Sequence, residues 1–211
     1  MHQAHSTDPH GTVTRIQLRI IPLRVGVRRV QALLSGGPMG SRLLDGWLDD
    51  HETISHAARR TSQEQLGLTG TPLQIAAMGS PHEGIQVIYA LAVRPPEPGS
   101  RLPTSHLAGS TWRSAWEPGQ LMDGERDVLD MAIGAVASQV EHEEAGFLFV
   151  HSEFTVTELR RVHECFLRTR IDPSNFRKRV GRWVDEQRVI ELSKRRPTAT
   201  RPARLYTRTN L

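Results

Sequence analysis

Thr155-Val-Thr-Glu158 and, further on, Asp172-Pro-Ser-Asn-Phe-Arg-Lys-Arg179 decide how the C-terminal third of the chain is read. The first stretch has the capping-box pattern. A threonine hydroxyl accepts from the backbone N–H three residues on, and the glutamate reaches back to the threonine N–H. A helix is expected from Val156 to Arg168. The second stretch pairs an N-cap aspartate with a proline at the first helical position, where its missing N–H does no harm. This helix carries Phe176, Val180, Trp183 and Val184, an apolar stripe at helical spacing. Two short β-rich runs follow, 189–192 and 204–207, around a basic loop at 194–201. Helix, short turn, helix and hairpin is the order of a winged helix-turn-helix.

With Phe176, Val180 and Trp183 turned inward, Ser174, Asn175, Lys178, Gly181 and Arg182 face out, and Arg177 and Arg179 flank them. Arginine can read guanine edges and asparagine adenine edges, while lysine and serine hold phosphates. Arg195, Arg196, Arg201 and Arg204 stand in or beside the hairpin. Thr155, at the start of the first helix, joins these candidates for contact with double-stranded DNA. Single-stranded RNA is disfavoured, because no exposed aromatic platform accompanies the charge.

Charge supports this division. Residues 1–145 hold 12 Lys and Arg against 16 Asp and Glu, whereas residues 146–211 hold 15 against 7. A mildly acidic region followed by a strongly basic one points to a polyanion met by the second alone. The only cysteine, Cys165, lies among apolar positions of the first helix and reads as a core residue. It leaves no internal disulfide and no cysteine zinc site. No run approaches the ~20 apolar residues of a membrane span. The polar, His-rich start has no apolar signal-like core. A cytoplasmic location is expected.

The preceding region reads as mixed α and β. Residues 14–23, 28–34, 73–78 and 85–93 are rich in β-branched and aliphatic side chains and read as strands. Gly36-Gly37-Pro38 breaks the chain, and residues 95–103 read as a loop. Residues 53–66 suit a one-sided helix closed by Gly67, and residues 127–140 suit another. Glu141-His142-Glu143-Glu144 reads as the end of that helix or a link. The expected class is α+β: an α/β/α sandwich with a mixed sheet, then a small winged helix. Residues 1–12 are read as a flexible tail, 13–144 as one domain and 145–211 as the other.

Gly46-Trp-Leu-Asp-Asp-His-Glu52, seven residues, then Arg60-Thr-Ser-Gln-Glu-Gln-Leu-Gly-Leu68 resembles a Nudix box. Gly46, Glu52, Arg60, Glu64, Gly67 and Leu68 match in type and spacing. The departures decide the chemistry. Two positions four apart on one helix, which in that family carry the carboxylates holding divalent metal, are Thr61 and Gln65 here. Magnesium is held mainly by carboxylates and phosphates, so neither a metal site nor a catalytic residue is assigned. Leu44-Asp45-Gly46 also stands where Pro-Gly-Gly is usual. In the family the glutamate at position 52 pairs structurally with the arginine at position 60.

A Nudix-like domain followed by a basic winged helix resembles the NrtR family, the Nudix-related transcriptional regulators of NAD metabolism. Phe154-Thr-Val-Thr-Glu-Leu159, the 172–179 stretch and Arg201-Pro-Ala-Arg-Leu-Tyr206 carry that likeness. Trp112 and Trp116 also sit where Nudix ADP-ribose enzymes carry an aromatic. The resemblance implies a homodimeric repressor of NAD synthesis or salvage genes on a palindromic operator, modulated by ADP-ribose or a related nucleotide, with no cofactor required. It places effector contacts at Gly46, Trp47, Glu52, Arg60 and Glu64. The segment 127–144 is the expected lever between the domains. Two alternatives stay open: an active ADP-ribose or nucleotide pyrophosphatase relying on Glu64, and a regulator of a different nucleotide or sugar metabolite.

Overall fold

The computed structural model describes residues 5–7, 13–37, 39–80, 84–96, 109–142, 144–198 and 201–209. The elements in chain order are β1 (His5–Thr7), β2 (Val13–Val25), β3 (Val30–Ser35), β4 (Leu44–Trp47), α1 (Ile54–Leu66), β5 (Thr71–Ser80), β6 (Gly84–Ala92), β7 (Ser110–Ser114) and α2 (Glu125–His142). A 3-10 turn (Ala145–Phe149) then leads into β8 (Glu153–Phe154), α3 (Val156–Leu167), α4 (Pro173–Asp185), β9 (Val189–Arg196) and β10 (Ala203–Arg208).

The long strand β2 organises the first sheet. It runs parallel to β6 along Ile16–Leu23 and antiparallel to β4 along Gln17–Ile20, then to β3 along Leu23–Val25. β3 and β4 therefore share one edge of β2 in succession. β5 pairs with β6 on one flank and β7 with β3 on the other. Successive strand residues point to opposite faces. Val87, Tyr89 and Leu91 meet α1 with Leu18 and Ile20, while Ile88, Ala90 and Ala92 meet α2 with Ile21 and Leu23. The result is the expected α/β/α sandwich with a mixed sheet.

α1 begins where Thr53 accepts from the His56 N–H and ends at Gly67 in the left-handed region, with φ 61°. Its buried face is Ala57, Ala58, Thr61, Ser62 and Leu66. α2 runs two residues further at each end than the apolar pattern alone indicated. Its N-terminal Glu125 is buried, pairs with Arg19 and accepts from the Leu43 N–H. Buried charge persists because it is paired.

The apolar cluster on the α2 face continues into the second domain. Val136 and Val140 of α2 belong to the same buried core as Phe147, Phe149, Phe154, Phe166, Phe176 and Trp183. Phe147 meets Trp183 edge-on at 5.4 Å and Phe149 meets Phe166 at 4.8 Å. The segment 141–144 is thus the end of a packed helix running into a buried turn, with Glu143 outside the described residues.

The structure corrects the expected tail in part, because His5–Thr7 pairs antiparallel with β2. Residues 1–4 and 8–12 lie outside the described set, as do Pro38 and residues 97–103 of the expected loop. β4 and β7 were not expected. The hairpin strands are longer than expected, with Ala203 opposite Arg196, while residues 199 and 200 of the expected basic loop lie outside the described set. Among the described residues no helix is long and apolar enough to cross a membrane.

Candidate functional site

The two C-terminal helices start as their sequences dictate. Glu158 N–H donates to Thr155 Oγ1 at 3.2 Å and Thr155 N–H donates to Glu158 Oε2 at 2.7 Å. Asn175 N–H donates to Asp172 Oδ1 at 2.8 Å. α3 buries Leu159, Val162, His163, Cys165 and Phe166, and α4 buries Phe176, Val180 and Trp183. Burial holds the His163 imidazole down at about pKa 4, with the nearby Arg179 charge acting the same way. His163 is therefore neutral at pH 7 and packs against Phe176 at 5.0 Å.

That packing leaves a polar face. Ser174, Asn175, Arg177, Lys178, Gly181 and Arg182 of α4 are all exposed. Among the described residues, Arg177, Lys178 and Arg182 have no ion pair. β8, β10 and β9 form a three-stranded sheet beside it. Arg195 and Arg201 are exposed on its hairpin, and Thr198 Oγ1 donates to Arg201 O at 2.6 Å.

Four expected DNA contacts are engaged elsewhere. The Thr155 side chain is buried and its hydroxyl also donates to Glu158 Oε2, so it is a cap. Arg196 donates to Glu158 Oε1 at 2.6 Å and Glu153 O at 2.9 Å, tying the hairpin to the start of α3. Arg204 pairs with Glu191 at 2.6 Å across the hairpin. Arg179 lies 4.9 Å over Trp183 and donates to Glu141 O at 2.5 Å, joining α4 to the end of α2. The hydrogen-bond partners of Arg179, Arg196 and Arg204 lie 13 to 43 positions away in sequence, which is why the sequence does not reveal them, whereas the Thr155 cap is local and legible there. Glu144 reinforces the same junction through Arg188 at 2.6 Å and through Arg208. Burial alone would raise its pKa, but the Arg188 hydrogen bond and the Arg208 charge outweigh that and lower it.

The box of the first domain is a closed set of contacts. Arg60 bonds Glu52 at 2.9 and 2.7 Å, Asp49 at 3.0 Å, Glu64 at 3.3 Å and the Trp47 carbonyl at 3.2 Å. The Arg60 hydrogen bond holds the Glu52 carboxyl down at about pKa 2, despite burial. Glu52 in turn raises the Arg60 guanidinium. Glu52 and Arg60 therefore fasten the loop after β4 onto α1, as the box pattern implied. Trp47 is half exposed, and Glu64 is the most open carboxylate of the group.

Thr61 and Gln65 turn away from cation chemistry. Thr61 is buried against Gly46, where an added Cβ would lie 2.7 Å from both Thr61 Cγ2 and Oγ1. Gln65 Nε2 donates to Asp45 O at 3.0 Å. Ser62 between them donates to Ala58 O at 2.8 Å. The donor set at these positions is two uncharged side chains, one of them engaged with backbone, and does not fit a hard divalent cation.

Residues 146–207 match the family model for the NrtR DNA-binding winged helix domain. Shewanella oneidensis NrtR complexed with a 27mer DNA is similar with a TM-score of 0.75 and 18% identity, over 92% of this chain and 93% of that one. The same protein without DNA gives 0.74 and 18%, over 92% and 94%. A MutT/nudix family protein from Enterococcus faecalis gives 0.69 and 17%, over 97% and 90%. No curated protein matches the chain. Residues 146–207 are thus similar to the NrtR DNA-binding winged helix domain, and the chain as a whole has the Nudix-plus-winged-helix fold seen in the NrtR structures.

Proposed function

We propose that this protein is a DNA-binding transcriptional regulator whose first domain senses a nucleotide and no longer hydrolyses one. One observation carries the DNA half. α4 presents Ser174, Asn175, Arg177, Lys178, Gly181 and Arg182 as an exposed face on a capped, tightly packed two-helix unit beside a basic hairpin. Ser174, Asn175, Arg177, Lys178 and Arg182 form the reading surface, flanked by Arg195 and Arg201. The similarity to a relative described as bound to DNA supports this reading.

The sensing half is drawn from the box. Thr61 and Gln65 remove the metal-bridging carboxylates, while the Glu52–Arg60 fastening keeps the loop after β4 in place. The effector is proposed to be ADP-ribose or a related nucleotide, bound near Gly46, Trp47 and Glu64. The targets are proposed to be NAD synthesis or salvage genes, repressed by a homodimer in the cytoplasm. A dimer suits the twofold symmetry of an operator.

Control runs through α2. Arg179 on Glu141, together with Arg188 and Arg208 on Glu144, fastens α4 and the hairpin to the end of that helix and the start of the 3-10 turn after it. A ligand that binds the DNA-incompetent arrangement more tightly shifts the population towards it, and one that binds both equally shifts nothing. Gel-shift titration with ADP-ribose and with NAD tests this. Release of operator DNA at saturating ligand is expected, and unchanged operator affinity would sink the sensing reading.

A further inference from the structure

We propose that the cleft between the β2–β3 turn and α3 binds a small molecule through its phosphate groups, with both domains contributing to the grip. The cleft holds about 860 Å³, within the usual range of small-molecule sites. Arg28 and Arg29 line it from the β2–β3 turn of the first domain. Arg161, Arg168 and Arg170 line it from α3 and the turn that follows, and Trp116 lines it as well.

These cations are poorly matched. The carboxylates lining the cleft are Glu117 and Glu164. Glu164 is engaged, since it accepts from the Ile171 N–H at 3.0 Å and lies 3.8 Å from Arg160. Among the described residues, the guanidinium groups of Arg28, Arg29, Arg161 and Arg170 make no hydrogen bond or ion pair. Converging like charges in a concave, low-dielectric wall focus the field on an anion. A guanidinium offers the planar pair of donors that phosphate oxygens accept.

Two further observations lie at this place. Arg168 closes α3 in the left-handed region at φ 51°, which is disfavoured for a residue with a Cβ, and its guanidinium lies 5.3 Å over the Trp116 ring. The Trp116 indole Nε1–H is buried with no acceptor. A buried donor left without a partner is destabilising, and this one belongs to a residue that lines the cleft.

The cleft is separate from the reading surface. Ser174, Asn175, Lys178 and Arg182 do not line it. It is also separate from the box, none of whose residues lines it. The inference rests on the proposed function only for its consequence, that a phosphorylated ligand touching both domains biases how they sit and hence operator affinity.

Calorimetric titration of the full chain with inorganic pyrophosphate tests the site. The parent is expected to bind saturably. Arg28→Ser/Arg29→Ser and, separately, Arg161→Ser are each expected to weaken pyrophosphate by about tenfold or more, as loss of charge-assisted contacts predicts. Both should keep the parent melting temperature and operator affinity. Lys178→Ala should lose operator affinity and keep pyrophosphate binding. Absence of saturable binding to the parent, or binding that the cleft variants leave unchanged, overturns the proposal. So does loss of operator affinity in the cleft variants with pyrophosphate binding intact, which would make the cleft a seat for the DNA backbone. Lys178→Ala reports on the reading surface independently, so failure of the cleft and failure of the regulator reading are distinguishable.

Discussion

Gly46→Ala should destabilise the first domain through a collision specific to this sequence. Gly46 sits in β4 opposite Leu18, and its backbone conformation is one that alanine can adopt. The obstacle is Thr61. An alanine Cβ would lie 2.7 Å from both Thr61 Cγ2 and Thr61 Oγ1, and 3.2 Å from Thr61 Cβ. Carbon atoms rest at about 3.5–4.0 Å, so the overlap is on the order of 1 Å. Thr61 has little means of yielding. It is 2% exposed and its β-branched side chain is stiff on a helix. Overpacking of this kind costs about 1–3 kcal/mol. For a domain of this size that corresponds to a melting temperature lowered by roughly 3–12 °C. The assay is thermal unfolding of four proteins: parent, Gly46→Ala, Thr61→Ala and the double variant. The two substitutions should be non-additive by about 1 kcal/mol or more, because removing the threonine branches makes room for the new methyl. An unchanged melting temperature in Gly46→Ala, or an equal loss in the Thr61→Ala background, would refute the reasoning. It would mean that Thr61 does not fill the place where a metal-bridging carboxylate would stand.

Trp183→Ala should destabilise the winged helix domain by about 3–5 kcal/mol, since the ring contacts Phe147 and Phe176, and far-ultraviolet dichroism during urea unfolding would register it. Thr155→Ala should lower stability by about 1 kcal/mol through loss of the cap, with operator affinity at 25 °C unchanged. A fall in affinity without a fall in stability would return Thr155 to the DNA surface. The Glu52 carboxyl lies at about 2 in the folded chain against an ordinary 4.5 when unfolded. Its contribution is therefore complete above about pH 4.5 and is lost as the pH falls from there towards 2. Glu52→Gln should flatten the acid limb of the stability profile in that window, and an identical limb would contradict the Arg60 clasp.

Both helices of the reading unit were legible because their signals are local. A capping box and an Asp-Pro start need only four adjacent residues, and the stripe of Phe176, Val180 and Trp183 is set by helical period alone. β2 and β6 were legible for a similar reason, being long runs of buried aliphatics. β4 and β7 were not. Leu44–Trp47 is four residues with a glycine, and Ser110–Ser114 is polar, with residues that alternate between exposed and half-buried. Each is a strand because a neighbour supplies hydrogen bonds.

The box showed the same limit. Its departures at Thr61 and Gln65 could be read directly, whereas Gln65 bonding to the Asp45 carbonyl required the fold. Among the arginines, composition correctly placed a basic domain but could not separate free cations from committed ones. Arg177 and Arg195 are free among the described residues, whereas Arg179, Arg196 and Arg204 are held by partners from other elements.

The central claim is that α4 reads DNA, and anisotropy titration of a labelled duplex from the region upstream of the gene tests it most directly. The parent should bind that duplex more tightly than a scrambled one. The Arg177→Ala/Lys178→Ala variant should bind at least about tenfold more weakly with an unchanged melting temperature. A folded double variant that binds as tightly as the parent would contradict the account.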